Sequence, residues 1–266
     1  MPTRQINDIS FSFDDRGSGI PLVLLHGFPL DRRMWGEQMA DSSLRSRMIA
    51  IDLPGFGQSL PPVSFTMPSL ARSIRELLSQ LDALPCVLTG LSMGGYIALN
   101  FAHEFQSELR GLILVDTRAE ADTPQGKENR QKMIDLVRAK GSAAIADQMQ
   151  PKLLSPDTMA HRPNQVRALR QMMEAVPAQT IEHALSAMRD RPDMTEVLTS
   201  IKTPTLVLVG DADEITPPAV AQSMQKKMPN AELVIVQGAG HMSPLEQPAQ
   251  VNRAIRNFLA RIDQSN

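Results

Sequence analysis

Short, uninterrupted apolar runs that alternate with helical patterns constrain this sequence more than any other feature. The runs are Ile20–His26, Met48–Asp52, Cys86–Gly90, Leu112–Asp116, Pro204–Gly210 and Leu233–Gln237. Continuous runs rich in Val, Ile and Leu are typical of strands that are buried on both faces. Between most of them apolar residues recur at helical spacing, as over Leu70–Leu81. The alternation predicts an α/β fold with a mostly parallel central sheet that is flanked by helices.

The alternation is interrupted once, between residues 119 and 190. This stretch contains no convincing strand pattern, only helical pieces such as the one that carries Val166, Leu169 and Met173. Because no Gly/Ser-rich linker flanks it, we predict that 119–190 is a helical insertion between two strands of a core formed by 1–118 and 191–266, and not a separate tethered domain. Near the N-terminus, Ile9–Phe13 alternates apolar and polar residues, which predicts an exposed antiparallel edge strand.

Composition and charge argue against several classes of function. The 266 residues have a formal net charge of −2 and no long basic block, so we expect no nucleic-acid partner. No apolar run is long enough to span a bilayer, and the first residues lack a signal-peptide pattern, so we expect no membrane association. Cys86 is the one cysteine and is expected in the core, which suits a cytoplasmic protein. No metal or nucleotide motif is present, and we predict no cofactor and no metal.

A serine lies between glycines directly after the third of these apolar runs. The sequence GLSMGG spans Gly90–Gly95, and a helical pattern follows from Tyr96 onward. A strand, a tight turn and a helix are the context that a G-x-S-x-G nucleophile elbow requires, since the strained turn lifts the hydroxyl clear of the sheet. Gly90 and Gly94 would let the neighbouring chain pass close by, and the helix N-terminus would favour developing negative charge. We predict that Ser92 is a nucleophile.

A serine nucleophile needs a general base, and the sequence contains five histidines. His241 follows the last apolar run in the segment GAGHM, at the carboxyl edge of the sheet, where open parallel sheets carry their sites. There it would take the hydroxyl proton of Ser92 and return it to the leaving group. His103, on the helix after the serine, and His161 and His183, in the insertion, are expected to have no catalytic role.

The histidine in turn needs an acid that holds its tautomer and stabilises the imidazolium. Asp213 comes three residues after the run Pro204–Gly210, and Asp116 ends the preceding run. Asp211 lies too close to the strand end, and Glu214 is expected to face away. We therefore favour Asp213 as the acid, with Asp116 as the alternative.

Two backbone N–H groups are predicted to stabilise an oxyanion. One belongs to Met93, directly after the serine, and the other to Phe28, in the loop HGFP after the first apolar run. Gly27 would allow the sharp turn that this loop needs, and Pro29 has no N–H to offer. His26 is expected to order the loop through a hydrogen bond and not to react.

These motifs, taken together, resemble those of the α/β-hydrolase superfamily. The matching segments are HGFP at His26–Pro29, DLPGFGQS at Asp52–Ser59, GLSMGG at Gly90–Gly95, GDAD at Gly210–Asp213 and GAGH at Gly238–His241. The chain order Ser, Asp, His is also the order of this fold. The resemblance implies the α/β-hydrolase fold, with the helical insertion as the cap over the active site.

The superfamily supports many reactions, so the residues at the site must narrow the choice. Ser92 in place of Asp, with no Trp after it, argues against haloalkane dehalogenases and epoxide hydrolases, and Leu91 stands where carbon–carbon-bond hydrolases usually carry Asn. The motifs are similar to those of small carboxylesterases, of 3-oxoadipate enol-lactonase-like proteins and of cofactor-free perhydrolases. We favour a carboxylic ester hydrolase that acts on small, mostly apolar esters through an acyl-enzyme. An enol-lactonase, a perhydrolase and a ligand-binding receptor remain alternatives.

Methionine-rich cap helices suggest where such an ester would bind. Met is flexible and fills irregular apolar space, and Leu30, Met172 and Met173 are predicted to line the substrate pocket. An acidic lactone would instead require an arginine near the pocket, for which the candidates are Arg32, Arg33, Arg118, Arg162 and Arg167. The expected partner is a small ester or lactone, bound by a monomer or a small homo-oligomer.

Overall fold

Eight strands in the described part of the chain form a single sheet with the order β1-β2-β4-β3-β5-β6-β7-β8. The computed structural model describes residues 2–6, 9–60 and 64–264. The strands are β1 Thr3–Ile6, β2 Ile9–Arg16, β3 Pro21–Leu25, β4 Arg47–Asp52, β5 Cys86–Leu91, β6 Leu109–Val115, β7 Thr205–Gly210 and β8 Ala231–Val236. From β4 to β8 all neighbours run parallel, whereas β1 and β2 are antiparallel to their neighbours. The predicted α/β class with a mostly parallel sheet is confirmed.

Helices lie between the parallel strands, as the apolar spacing predicts. They are α1 Gly36–Met39, α2 Met67–Gln80, α3 Met93–Phe105, α4 Pro124–Lys140, α5 Ser142–Leu153, α6 Pro156–His161, α7 Pro163–Glu174, α8 Ala178–Arg189, α9 Pro218–Lys227, α10 Ser243–Glu246 and α11 Pro248–Gln264. Short 3-10 turns occur at Arg32–Trp35, Ser42–Leu44, Gln106–Glu108 and Val197–Ser200. Helices α4 to α8 all fall between β6 and β7, in the stretch predicted as the inserted cap. The ends of the two predicted core parts, residue 1 and residues 265–266, lie outside the described residues.

The central strands are apolar throughout because both faces of the sheet are covered. On β3, Val23 and Leu25 belong to one apolar cluster, together with residues of α2 and α3. Leu22 and Leu24 belong to a second cluster on the opposite face, together with residues of α11. Successive side chains of a strand point to opposite faces, so alternate residues of the strand belong to the two clusters. A continuous run therefore marks a strand that lies between two helical layers.

The N-terminal strand differs from its prediction in one respect. Ile9–Phe13 does lie in an antiparallel strand, but β2 is paired with β1 on one side and with β4 on the other. It is therefore not an edge strand, and Phe11 and Phe13 are buried. The edge is formed by Thr3–Ile6, which is too short and too polar to produce a clear alternating pattern in the sequence.

The parallel strands bring the loops that follow β3, β5, β6, β7 and β8 to the same edge of the sheet. Each residue predicted to carry chemistry lies in one of these loops or at the helix start that follows it. Among the described residues no helix is both long and apolar enough to cross a membrane.

Candidate active site

Ser92 occupies a sharp and unfavourable backbone turn between β5 and α3. Its φ is 52° and its ψ is −111°, a conformation that residues other than glycine rarely adopt. Its N–H donates to the carbonyl oxygen of Val115 at 3.0 Å, and its own carbonyl oxygen accepts from Gly95 at 2.9 Å and from the Thr117 hydroxyl at 2.8 Å. The bonds hold the turn in place while the Ser92 side chain stays half-buried.

The glycines of the turn are required by close backbone contacts. A Cβ atom on Gly90 would collide with the backbone of Gly94, and one on Gly94 would collide with the carbonyl oxygen of Leu25. Gly95 packs in the same way against the side chain of Thr117. The prediction that Gly90 and Gly94 let neighbouring chain segments pass close by is confirmed.

His241 and Asp213 form a buried, hydrogen-bonded pair. The Nδ1 atom of His241 lies 2.8 Å from Oδ2 of Asp213, and both side chains are almost completely inaccessible to solvent. Asp213 also accepts hydrogen bonds from the N–H groups of Ile215 and Thr216 at 2.8 and 2.9 Å. The Thr216 hydroxyl donates to Oδ2 of Asp213 at 2.6 Å and lies 3.3 Å from Nδ1 of His241. These bonds fix the carboxylate so that it can hold the histidine in one tautomer.

Asp116, the alternative acid, bonds to the loop that carries His241 and not to its ring. Its Oδ1 accepts from the N–H of Gly210 at 2.8 Å. Its Oδ2 accepts from the N–H and the hydroxyl of Ser243, at 3.2 and 2.6 Å. The loop after β6 is thereby connected to the end of β7 and to the segment after His241.

The same contacts connect the serine turn to the histidine loop. Val115 accepts from the N–H of Ser92, and the next residue, Asp116, binds Ser243, two residues beyond His241. The predicted nucleophile and base therefore follow β5 and β8 at one edge of the sheet, with the loop after β6 between them. In the described part of the chain, no hydrogen bond joins the Ser92 hydroxyl to His241.

Burial and neighbouring charges shift the pKa values of His241, Asp213 and Asp116. Burial alone would lower the pKa of His241, but the charge and hydrogen bond of Asp213, assisted by the charge of Asp116, raise it above its usual value. Burial likewise acts to raise the pKa of Asp213, yet His241 and Thr216 hold it below the usual range. Burial, followed by the charge of Asp213, raises the pKa of Asp116 to about 7.

The two amides predicted as oxyanion donors belong to the residue after Ser92 and to the residue after Gly27. Met93 begins α3, so its N–H belongs to the first turn, where helices leave such groups without intrahelical partners. Gly27 is packed against the turn, because a Cβ on it would lie 2.6 Å from the Leu91 side chain and 3.3 Å from Cβ of Ser92. The next residue is Phe28. Among the hydrogen bonds of the described residues, neither the Phe28 nor the Met93 amide has an acceptor.

His26 orders the loop beneath these amides, as expected. Its Nε2 accepts from the N–H of Leu53 at 3.0 Å, and its Nδ1 lies 2.9 Å from the carbonyl oxygen of Gly27. The ring is fully buried, and burial lowers its pKa. His103 and His161 are exposed and His183 is half-buried, on α3, α6 and α8 respectively.

Cys86 is buried at the start of β5, as predicted. Burial raises the pKa of its thiol to about 12, which is unfavourable for the thiolate that nucleophilic attack requires.

The predicted pocket residues are packed in one of the two apolar clusters. Leu30 and Met173 are fully buried and Met172 is nearly so, all three in the apolar cluster that contains α11. None of them lines the cavity of about 290 Å³ that opens between cap and core. Of the cap methionines, Met133 and Met149 line this cavity, together with charged residues. Charged and apolar side chains therefore share its lining.

Two buried residues that the sequence analysis did not single out support the site. Thr216 binds both members of the His241–Asp213 pair. Glu246 accepts from the N–H of Gly240 and from the N–H of Ser155, both at 2.8 Å. It thereby connects the residue before His241 to the start of cap helix α6. Glu246 lies five residues after His241 in the sequence, but only the fold shows which groups its carboxylate meets.

No group of three or more His, Cys, Asp or Glu side chains within the described ranges is arranged to hold a metal ion.

Comparison with known proteins identifies the family of this chain. A model of the alpha/beta hydrolase family matches residues 22–254. The chain belongs to the alpha/beta hydrolase family. The fold also agrees with this family, since solved alpha/beta hydrolases superpose on almost the whole chain.

Three relatives illustrate the range of the family. A thermophilic esterase from Thermogutta terrifontis, solved with malate bound, is 41% identical, with a TM-score of 0.91 over 96% of this chain and 94% of that one. The AB hydrolase superfamily protein YisY of Bacillus subtilis is 32% identical over 94% of this chain and 95% of its own. An enol-lactonase from Burkholderia xenovorans LB400 has a TM-score of 0.91 at 23% identity, covering 97% of this chain and 100% of that one, and shows the same fold. Family and esterase relatives together support hydrolase activity.

Proposed function

We propose that this alpha/beta hydrolase is a serine carboxylic ester hydrolase with Ser92 as nucleophile, His241 as general base and Asp213 as the acid that orients His241. The observation that carries the proposal is the buried His241–Asp213 pair, 2.8 Å apart, at the sheet edge where Ser92 occupies its strained turn. Because Nδ1 of His241 is bound to Asp213, Nε2 is the nitrogen available to accept the proton of Ser92.

The reaction proceeds in two halves. In the first, Oγ of Ser92 attacks the ester carbonyl carbon while His241 takes the hydroxyl proton. The tetrahedral intermediate carries its negative charge on the former carbonyl oxygen, which the N–H groups of Phe28 and Met93 stabilise. The carbon–oxygen bond to the alcohol then breaks, and His241 gives the proton to the departing alkoxide.

In the second half, water replaces the alcohol as nucleophile. His241 takes a proton from the water as it attacks the acyl carbon, and the same two amides stabilise the second oxyanion. The bond to Oγ of Ser92 breaks, the proton returns to Ser92, and the acid is released. The N–H groups of Met93 and Phe28 are available to stabilise both oxyanions, because neither donates a hydrogen bond to another group in the described part of the chain.

Leu30, Met172 and Met173 remain the proposed apolar pocket residues, and they lie in the cluster that contains α11, outside the lining of the cavity next to α4 and α5. Relatives that include an esterase, 41% identical to this chain, support an ester as the substrate. Lactones are cyclic esters and would be opened by the same two half-reactions.

A short-chain aryl ester tests the proposal directly. We expect steady turnover by the wild-type protein and a loss of at least about a thousandfold in kcat for Ser92→Ala. His103→Ala is the matched control, since this exposed histidine lies on α3 away from the proposed base. Equal turnover by the wild type and Ser92→Ala would refute the proposal.

A further inference from the structure

A cavity of about 290 Å³ lies between the inserted helices and the core, and its lining does not include Ser92, Asp213 or His241. Helices α4 and α5 form its cap side, and the core side comes from α3 and from the loops after β6 and β7. Small-molecule sites in proteins have volumes of roughly 300–1,000 Å³, so this cavity is large enough for a small substrate.

Positive charge dominates the lining of this cavity. Three cationic side chains, Arg118, Arg130 and Lys152, line it, against the single carboxylate of Asp122. Asp122 is already paired with Arg130 at 3.0 Å, and also with Arg191, which lies behind the lining, at 2.6 Å. Arg130 and Arg191 thus neutralise the charge of Asp122, and the charges of Arg118 and Lys152 remain uncompensated by it.

Arg118 and Lys152 have no carboxylate partner in the described part of the chain. Arg118 is half-buried and donates one N–H from its guanidinium group to the carbonyl oxygen of Ile215. Lys152 is exposed, in the last turn of α5. An arginine has five N–H donors in a planar fork, so most of those on Arg118 remain for a ligand. A carboxylate can accept two of these N–H groups in parallel.

Contacts to the proposed catalytic residues place the cavity beside the reaction site. Tyr96 lines it and donates its backbone N–H to the carbonyl oxygen of Ser92 at 3.2 Å. Ile215 lines it and donates its N–H to Asp213 at 2.8 Å. The charge of Arg118 also acts on His241 and opposes its protonation. Two lining residues therefore also contact the Ser92 turn and the carboxylate that binds His241.

We propose that this cationic cavity binds a free carboxylate of the substrate, so that the preferred esters are half-esters of dicarboxylic acids and not fully neutral esters. The inference rests on the proposed function for the ester-cleaving step. It adds Arg118 and Lys152 as the residues that select the substrate by its charge. Arg130 has a lesser part, because Asp122 already binds its guanidinium group.

A matched pair of substrates tests the charge preference. The kcat/KM of the wild-type protein is measured with monoethyl and diethyl adipate, of which only the first has a free carboxylate. The corresponding succinate and glutarate pairs show how the preference depends on the distance between the ester and the carboxylate. We expect a higher kcat/KM for the half-ester. Arg118→Gln should lower the ratio of half-ester to diester about tenfold, since bonds to charged groups are strong when partly buried. Lys152→Gln should lower it about threefold, as is typical of an exposed charge.

Charge reversal and a remote control sharpen this measurement. Lys152→Glu should lower the ratio further than Lys152→Gln, and added salt should reduce the contribution of Lys152 because the site is exposed. Lys226→Gln is the control, since this lysine is exposed on α9 and does not line the cavity. A ratio near one in the wild type, unchanged in Arg118→Gln and Lys152→Glu, would overturn the inference and leave ester hydrolysis itself intact.

Direct binding separates this inference from the proposed function. Calorimetry with monoethyl adipate and the Ser92→Ala protein requires no turnover. We expect binding that Arg118→Gln weakens about tenfold. Binding with this dependence, in a protein whose ester turnover does not require Ser92, would support the anion site and refute the proposed nucleophile. Binding that neither Arg118→Gln nor Lys152→Glu weakens would overturn the anion site.

Discussion

Asp116 accepts two hydrogen bonds from Ser243, two residues beyond His241, while Asp213 bonds to the His241 ring itself. Both residues follow an apolar run in the sequence, which therefore does not decide between them as the catalytic acid. In the structure both carboxylates are buried near His241. The geometry distinguishes them, because only Asp213 meets a ring nitrogen. Asp116 instead binds Ser243 and so holds the loop that contains His241 in place.

This difference predicts distinct effects of removing the two carboxylates. Asp213→Asn should lower kcat by about a thousandfold or more, because His241 loses the charge that stabilises its imidazolium form. Asp116→Asn should lower the free energy of unfolding by about 1–3 kcal/mol, since the new amide NH₂ would face an N–H or O–H donor. Its effect on kcat should be much smaller. Ester kinetics and urea denaturation check both results, and the reverse ranking in kcat would make Asp116 the catalytic acid.

The raised pKa of His241 predicts the acid limb of the pH profile. The general base must be neutral, so kcat/KM should rise with pH, with a midpoint above the usual histidine value of 6.5. Asp213 is the main cause of the increase, so Asp213→Asn should move the midpoint of the remaining activity downward. A neutral aryl ester is the appropriate substrate, because its charge does not change with pH. A midpoint below 6.5 in the wild type would contradict the pairing.

The strained turn at Ser92 predicts that glycine is a more stable replacement there than alanine. Ser92→Gly should be more stable than Ser92→Ala by about 1 kcal/mol, because glycine adopts a positive φ without the steric cost that a Cβ atom imposes. Both variants should lack ester hydrolysis. Thermal or urea unfolding of the pair checks the difference, and equal stabilities would show that the turn carries no strain.

Close packing at Gly94 predicts that its substitution is costly. Gly94→Ala should lower the free energy of unfolding by about 3 kcal/mol, since the added Cβ meets the carbonyl oxygen of Leu25. Gly36→Ala is the matched control, because a Cβ there meets no other atom within 4 Å. We expect Gly36→Ala to stay within about 0.5 kcal/mol of the wild type. Equal losses in the two variants would contradict this packing.

Glu246 connects the cap to the histidine loop, and its removal should affect both. Glu246→Gln should reduce the free energy of unfolding by about 1–3 kcal/mol, because one of the two N–H groups would face the new NH₂. Loss of the bond to Gly240 should also reduce kcat, while the pH midpoint remains that of the His241–Asp213 pair. Glu196→Gln, at an exposed position, serves as the control. An unchanged kcat would exclude the positioning role.

Much of the fold and of the core of the site could be predicted because local patterns determine them. Buried parallel strands are apolar throughout, and the G-x-S-x-G turn needs small residues where backbone segments meet. The residues that follow the strands could therefore be listed in advance, with Asp213 favoured by its place in the loop after β7. Thr3–Ile6 was missed because four residues carry too little pattern.

The cavity lining could not be predicted, since it depends on how α4 and α5 pack over the core. Arg118 was one of five arginine candidates, and no spacing rule distinguished it from Arg162 or Arg167. Met172 and Met173, on α7, belong to the cluster that contains α11, and their place in the substrate pocket stays a prediction. Helix periodicity identifies which face is apolar, but not whether that face meets the core or the substrate.

Covalent labelling of the nucleophile tests the central claim most directly. A fluorophosphonate transfers its phosphonyl group to an activated serine with loss of fluoride, and mass spectrometry of the digested protein locates the adduct. We expect stoichiometric labelling of the peptide that contains Ser92, loss of esterase activity in parallel, and no label on Ser92→Ala. Unlabelled Ser92 in a protein that still hydrolyses esters, or an adduct on another residue that abolishes turnover, would contradict the assignment.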